Sequence, residues 1–199
     1  MSVSTTPRRL LVLAGAAASP SRTYEIAECV SRHIAGVGSR PILRDLAAAP
    51  LPLLHTDDDP PDALADLQLQ AAEADGLVWV TPYYHGSYSG LLKNALDHLR
   101  DKHLKGKPVG LVAVGTSLTA VQACDHLRSV ARALGCVAAP THAVVTTSPS
   151  GEPAGSAGPD AEAVARISRM IGEVHILAET TWQLRSDPTP LRAPAWAGS

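Results

Sequence analysis

The sequence predicts a doubly wound α/β sandwich, a parallel sheet with helices packed on both faces. Short continuous apolar runs recur along the chain, helical patterns of ten or more residues separate them, and the length suits a single core. Parallel neighbours need crossover connections, and helices of this length supply them. A chain of 199 residues buries about 70% of its extended surface on folding, which is enough for one domain.

The elements follow in order. Leu10 to Ala14 is a continuous apolar run with Gly15 behind it, as expected of a strand covered on both faces. Gly76 to Val80 and Val109 to Val114 repeat that signature, and Pro41 to Arg44 and His142 to Val145 are weaker versions, giving five strands. Between them, apolar residues at three-to-four spacing predict helices over Ser21 to Val37, Pro61 to Ala74, Ser89 to Arg100 and Thr119 to Leu134. Thr146 to Pro159, rich in Ser, Gly and Pro, reads as a loop, after which Asp160 caps a last helix running to about Arg185. Residues 1–185 are thus expected to form one domain, and Ser186 to Ser199 a proline-rich tail.

Composition narrows the function. Hydrophobic residues at 45% and charged residues at 18% argue against a disordered chain, and 17 basic against 19 acidic residues, a net charge of −2, argues against a nucleic-acid binder. The first apolar run stops at Ser19-Pro20, too short for a membrane span and without a leader layout, so a cytoplasmic protein with no membrane partner is expected. Cys29, Cys124 and Cys136 are odd in number and widely spaced, which suggests buried thiols rather than disulfides or zinc ligands.

In such sheets ligands bind beyond the carboxyl ends of the strands, near the point where strand order reverses. Three loops therefore matter. Gly15 to Thr23 brings the hydroxyls of Ser21 and Thr23 and the guanidinium of Arg22 to a helix N-terminus, where free N–H groups favour an anion such as phosphate. The competing reading is that Ser21 only caps the helix and Arg22 is solvated. Thr81 to Gly90 holds three of the four tyrosines, and its glycines let backbone approach a flat ligand; the plainer alternative is a helix entry with surface tyrosines. Gly115 to Thr119 is the third. Lys93 and Asp97, one turn apart, can pair with each other or across a subunit boundary.

The run Thr81-Pro82-x-Tyr84-x-Gly86-Ser87-Tyr88-x-Gly90-x-Leu92-Lys93-Asn94-Ala95-Leu96-Asp97 closely resembles the signature of the NADPH-dependent FMN reductases, which are flavodoxin-like. The resemblance spans about Arg9 to Val145 and implies that FMN and a nicotinamide nucleotide, NADPH or NADH, are the cofactors. It implies a phosphate site at Ser21, Arg22 and Thr23, with Gly15 and Ser19 in the same loop. It further implies an isoalloxazine lying against the backbone of Pro82, Tyr83, Tyr84, His85, Gly86 and Ser87 and the loop of Gly115, Thr116 and Ser117. Hydride would pass from the nicotinamide to flavin N5 with no catalytic side chain, the protein supplying orientation and shielding. Ser89-Gly90, where many members have Pro-Gly, is similar to the branch that supplies reduced flavin to monooxygenases.

The chain also departs from the family. Ala16 and Ala18 stand where Ser and Arg are common, Thr116 replaces the second glycine of a pair, and His85 replaces a frequent Asn. Losing a charge-assisted phosphate contact removes about 1.5–3 kcal/mol, roughly one to two decades of affinity. Weak FMN binding is the expectation, and a flavodoxin-like interaction or binding module with a lost flavin site is the alternative function.

Two other segments carry less. His55 to Asp59 lacks metal-loop spacing, and Lys102, His103, Lys105 and Lys107 read as a solvated basic face. Leu91, Leu92, Ala95, Leu96 and Leu99 give helix 89–100 more apolar surface than one sheet face needs, so a homodimer or homotetramer is expected, as the resemblance also implies.

Overall fold

A computed structural model describes residues 6–54, 62–147 and 158–186. The strands are β1 (Arg9–Ala14), β2 (Arg40–Asp45), β3 (Gly76–Pro82), β4 (Pro108–Gly115), β5 (Val137–Ala138) and β6 (Ala143–Thr146). The helices are α1 (Arg22–Gly36), α2 (Asp62–Glu73), α3 (Gly90–Asp97), α4 (Asp101–Leu104), α5 (Val121–Ala133) and α6 (Ala161–Ser186), with a 3-10 turn at Leu118–Ala120 leading into α5. His55 to Asp59, residues 148–157 of the Ser/Gly/Pro loop and residues 187–199 of the tail lie outside the described residues.

All strand pairs are parallel, in the order β2-β1-β3-β4-β5, with β6 also on β4. The five expected strands become six because the outer edge of β4 is shared. Val137 and Ala138 pair with Pro108 and Val109, and Ala143 to Thr146 pair with Val112 to Gly115. Pro140 lies between them, and a residue without an N–H cannot continue the ladder.

Side chains alternate across the sheet with the two-residue period of a strand. Leu11, Leu13, Leu77, Trp79, Leu111 and Ala113 pack against α2, α3 and α5. Leu10, Val12, Val78, Val80, Val112 and Val114 pack against α1 and α6. Gly110 lets α6 sit close, since a Cβ there would lie 2.9 Å from Met170 Sδ. Arg8, 5% exposed, ties the start of β1 to α6 through Glu179, Nε to Oε1 at 2.7 Å and Nη2 to Oε2 at 3.3 Å.

Four expectations are corrected by packing. The helix expected over Ser89 to Arg100 ends at Asp97, and a separate turn, α4, follows after Arg100. The helix expected from Thr119 begins as the 3-10 turn and becomes α-helical at Val121. Leu92, Ala95, Leu96 and Leu99 are all buried in this chain's own core, so the surplus apolar face that suggested self-association reduces to Leu91, itself partly buried. The basic run is not a solvated face throughout. Lys107 is only 6% exposed and its Nζ donates to the Ala71 and Ala72 carbonyls, both at 2.6 Å, closing the last turn of α2, and His103 is buried as well.

Lys93 pairs within its own helix with Asp97, at 2.5 and 2.7 Å. Cys29 and Cys124 are buried and Cys136 partly so; burial pushes the thiols of Cys124 and Cys136 up to about 12. No helix among the described residues is long and apolar enough to cross a membrane.

Candidate functional site

The strand order reverses between β1 and β3, and the three loops converge around the carboxyl ends of β1, β3 and β4. The first two are joined through backbone and one serine. Gly15 N donates to Val80 O at 2.8 Å, and Ser89 Oγ donates to Gly15 O while accepting from Leu92 N at 3.1 Å. Ser89 N in turn donates to the buried Thr81 Oγ1 at 3.0 Å. Only glycine fits at position 15, because a Cβ would lie 2.8 Å from Leu92 Cβ and 3.2 Å from Ser89 Oγ.

The second and third loops meet at Tyr83. Its N–H donates to Val114 O at 2.8 Å, and its side chain lies over Gly115, where an added Cβ would sit 3.2 Å from Tyr83 Cβ and 2.9 Å from Ala120 Cβ. Gly115 O is taken by Thr147 N at 2.7 Å. Beyond Tyr83 the chain makes a tight turn in which Tyr84 N donates to Ser87 O at 2.9 Å and Ser87 N to Tyr84 O at 3.0 Å. His85 and Gly86 take φ values of 47° and 88°, the two left-handed positions that a two-residue reversal of this hand demands. His85 is a residue that tolerates this region better than most.

At the start of α1, Ser21 caps the helix, its Oγ accepting from Tyr24 N at 3.1 Å. Arg22 is partly buried rather than fully solvated and reaches Glu25, Nη1 to Oε2 at 3.4 Å. Thr23 is buried, Ala16 is buried and Ala18 is exposed. Among the described residues, no protein acceptor takes the N–H groups of Ala17, Ala18, Ser19 or Thr23. A run of unengaged N–H groups at a helix N-terminus, beside a serine and a guanidinium, fits a phosphate. Thr116 and Ser117 are exposed, with Ser117 Oγ 2.6 Å from Thr119 Oγ1. At Gly86 nothing lies within 4 Å of where a Cβ would stand, so the turn presents bare backbone there, as a flat ring requires, whereas Gly115 is needed for the close packing of Tyr83 and Ala120.

Two side chains that the sequence reading passed over bind this region to α5. Tyr83 Oη donates to Gln122 Oε1 at 2.8 Å, and Ser87 Oγ lies 2.9 Å from His126 Nδ1. Their four-residue spacing on a helix is the one sequence signal that both share a face. The surrounding surface is open. A cleft of about 290 Å³ borders the third loop at Leu118, and another of about 310 Å³ reaches Arg22 and Thr147, so neither encloses the shelf formed by the three loops.

Comparison with known proteins bears on the same segments. A family model described as NADPH-dependent FMN reductase matches residues 8–149. The FMN-dependent NADPH-azoreductase of Staphylococcus aureus is 37% identical over 137 residues, which cover 66% of this chain and 73% of that protein. An oxidoreductase from Corynebacterium diphtheriae superposes with a TM-score of 0.66 at 26% identity, covering 86% of this chain and 97% of that one. An NADH:FMN oxidoreductase solved in its apo form gives a TM-score of 0.62 at 26% identity, covering 85% and 89%.

Proposed function

Because the chain belongs to the NADPH-dependent FMN reductase family, we propose that it is an FMN-dependent NAD(P)H oxidoreductase whose flavin exchanges with solvent. The observation that carries this reading is the run of unengaged N–H groups before α1, found among the described residues, set beside a second loop that Gly86 leaves open to a planar ligand. Ser19, Ser21, Arg22 and Thr23 would hold the phosphate. The backbone from Pro82 to Ser87 and from Gly115 to Ser117 would receive the ring. FMN, when bound, supplies the two-electron chemistry, accepting hydride from the nicotinamide and passing reducing equivalents onward.

The chain's own part is orientation. Ser89 and Thr81 fix where the second loop leaves the sheet, and Tyr83 fixes how it meets the third. Ala16 and Ala18 supply only methyl groups beside the phosphate loop. That supports loose binding, which suits release of reduced flavin to a partner monooxygenase. Tighter binding would suit reduction of a small acceptor in place, such as an azo compound; the Staphylococcus aureus relative is named an FMN-dependent NADPH-azoreductase.

Titrating dialysed protein with FMN, then adding NADPH or NADH without oxygen, tests this. Binding with bleaching of the flavin band is expected. Stoichiometric FMN retained through long dialysis would overturn the exchange reading and leave the reductase; absence of binding would overturn the reductase and favour an interaction module.

A further inference from the structure

We infer that Gln122 and His126 are positioning residues that set the width of the flavin slot by clamping its second wall to its third, an inference that rests on the flavin reading above. The second loop leaves the sheet after Tyr83 and returns at Ser89, held at those two points by Tyr83 N on Val114 O and Ser89 N on Thr81 Oγ1. Between them the Tyr84–Ser87 turn has only its own reciprocal backbone bonds. Two side-chain ties from the stretch Tyr83 to Ser87 run to α5, from Tyr83 Oη to Gln122 Oε1 at 2.8 Å and between Ser87 Oγ and His126 Nδ1 at 2.9 Å, each spanning 39 residues of sequence.

The choice of α5 gives the ties their meaning. That helix grows directly out of the third loop, through the 3-10 turn at Leu118–Ala120, so its first two turns move with Gly115 to Ser117. A bond from the second loop to Gln122 or His126 is therefore a bond between the two surfaces proposed to enclose the ring. One tie sits on each side of His85 and Gly86, the two left-handed residues of the turn, so both flanks of the reversal are fastened to α5.

The test compares the wild type with Gln122→Ala and His126→Ala, and with the conservative Gln122→Glu and His126→Asn, which retain an acceptor for Tyr83 Oη and a polar atom near the place of Nδ1. FMN dissociation constants come from fluorescence quenching, apoprotein stability from thermal melts, and the rate of flavin reduction is followed against NADPH concentration. Each alanine variant is expected to raise the FMN dissociation constant about fivefold, the fold-change that one net hydrogen bond carries. The maximal rate should fall while the NADPH dependence and the apoprotein melt stay unchanged, since both ties lie on exposed surface. The conservative variants should recover most of the affinity. Wild-type FMN affinity in both alanine variants overturns the clamp and leaves the flavin reading standing. A loss of apoprotein stability that matches the loss of affinity, without recovery in the conservative variants, overturns it too, as a general packing effect. Failure of the wild type to bind FMN overturns the flavin reading and the clamp with it.

Discussion

At the scale of single residues, Gly15 and Ser89 decide whether the first two loops can meet. Gly15→Ala drives a methyl into Leu92 Cβ at 2.8 Å, both atoms on well-packed elements. It is expected to cost about 1–3 kcal/mol in urea unfolding. Ser89→Ala removes the α3 cap and leaves the Gly15 carbonyl without its donor in a buried place, and a loss of about 1–3 kcal/mol with weaker FMN binding is expected. A melt at wild-type temperature in the Ser89 variant would show that the serine joins nothing. The turn at His85-Gly86 was legible in the chain, because left-handed backbone is a local property that sequence encodes, whereas Gly15 and Gly115 are required by close approach to Leu92, Tyr83 and Ala120, which only the folded chain brings about. Gln122 and His126 were not legible, because a side-chain bond across 39 residues leaves no local trace beyond a shared helix face.

Among the elements, α4 ties stability to pH. His103 Nδ1 accepts from Arg100 N at 3.1 Å, which requires the unprotonated ring. Burial first, and then the charges of Lys102, Lys107 and Arg100, hold its pKa below the ordinary imidazole value of about 6.5. A base whose folded pKa is depressed binds fewer protons folded than unfolded, so stability is intact above the unfolded value and lost as pH falls from there through the folded value. His142 is shifted the same way by burial and Arg128 and adds to the same limb. Urea midpoints should drop as pH is lowered from about 6.5, and His103→Asn should flatten part of the drop. A midpoint slope identical in the variant would remove His103 as a cause. The strands β1, β3 and β4 could be read from sequence because burial on both faces demands unbroken apolar runs. The two-residue β5 could not, since nothing local separates it from a loop, and neither could the burial of Lys107, which answers to carbonyls of α2 more than thirty residues away.

For the whole molecule, FMN should act as a stabilising ligand. If it binds only the folded chain, FMN at a hundredfold excess over its dissociation constant adds about 2.7 kcal/mol. For a domain of this size that raises the melting temperature by roughly 5–10 °C. A melt indifferent to FMN would argue against a folded-state site. The family match stops at residue 149, yet the sandwich does not, because Ile167, Met170, Ile171 and Val174 of α6 cover the face that Val12, Val80 and Val112 present. During synthesis the part of that face under α6 stays wet until α6 has been made, after all three loops. A product cut off at residue 149 would carry all of the proposed flavin-binding residues on a sheet with one side half bare, with Arg8 deprived of Glu179, and should be recovered as aggregate rather than as a smaller reductase.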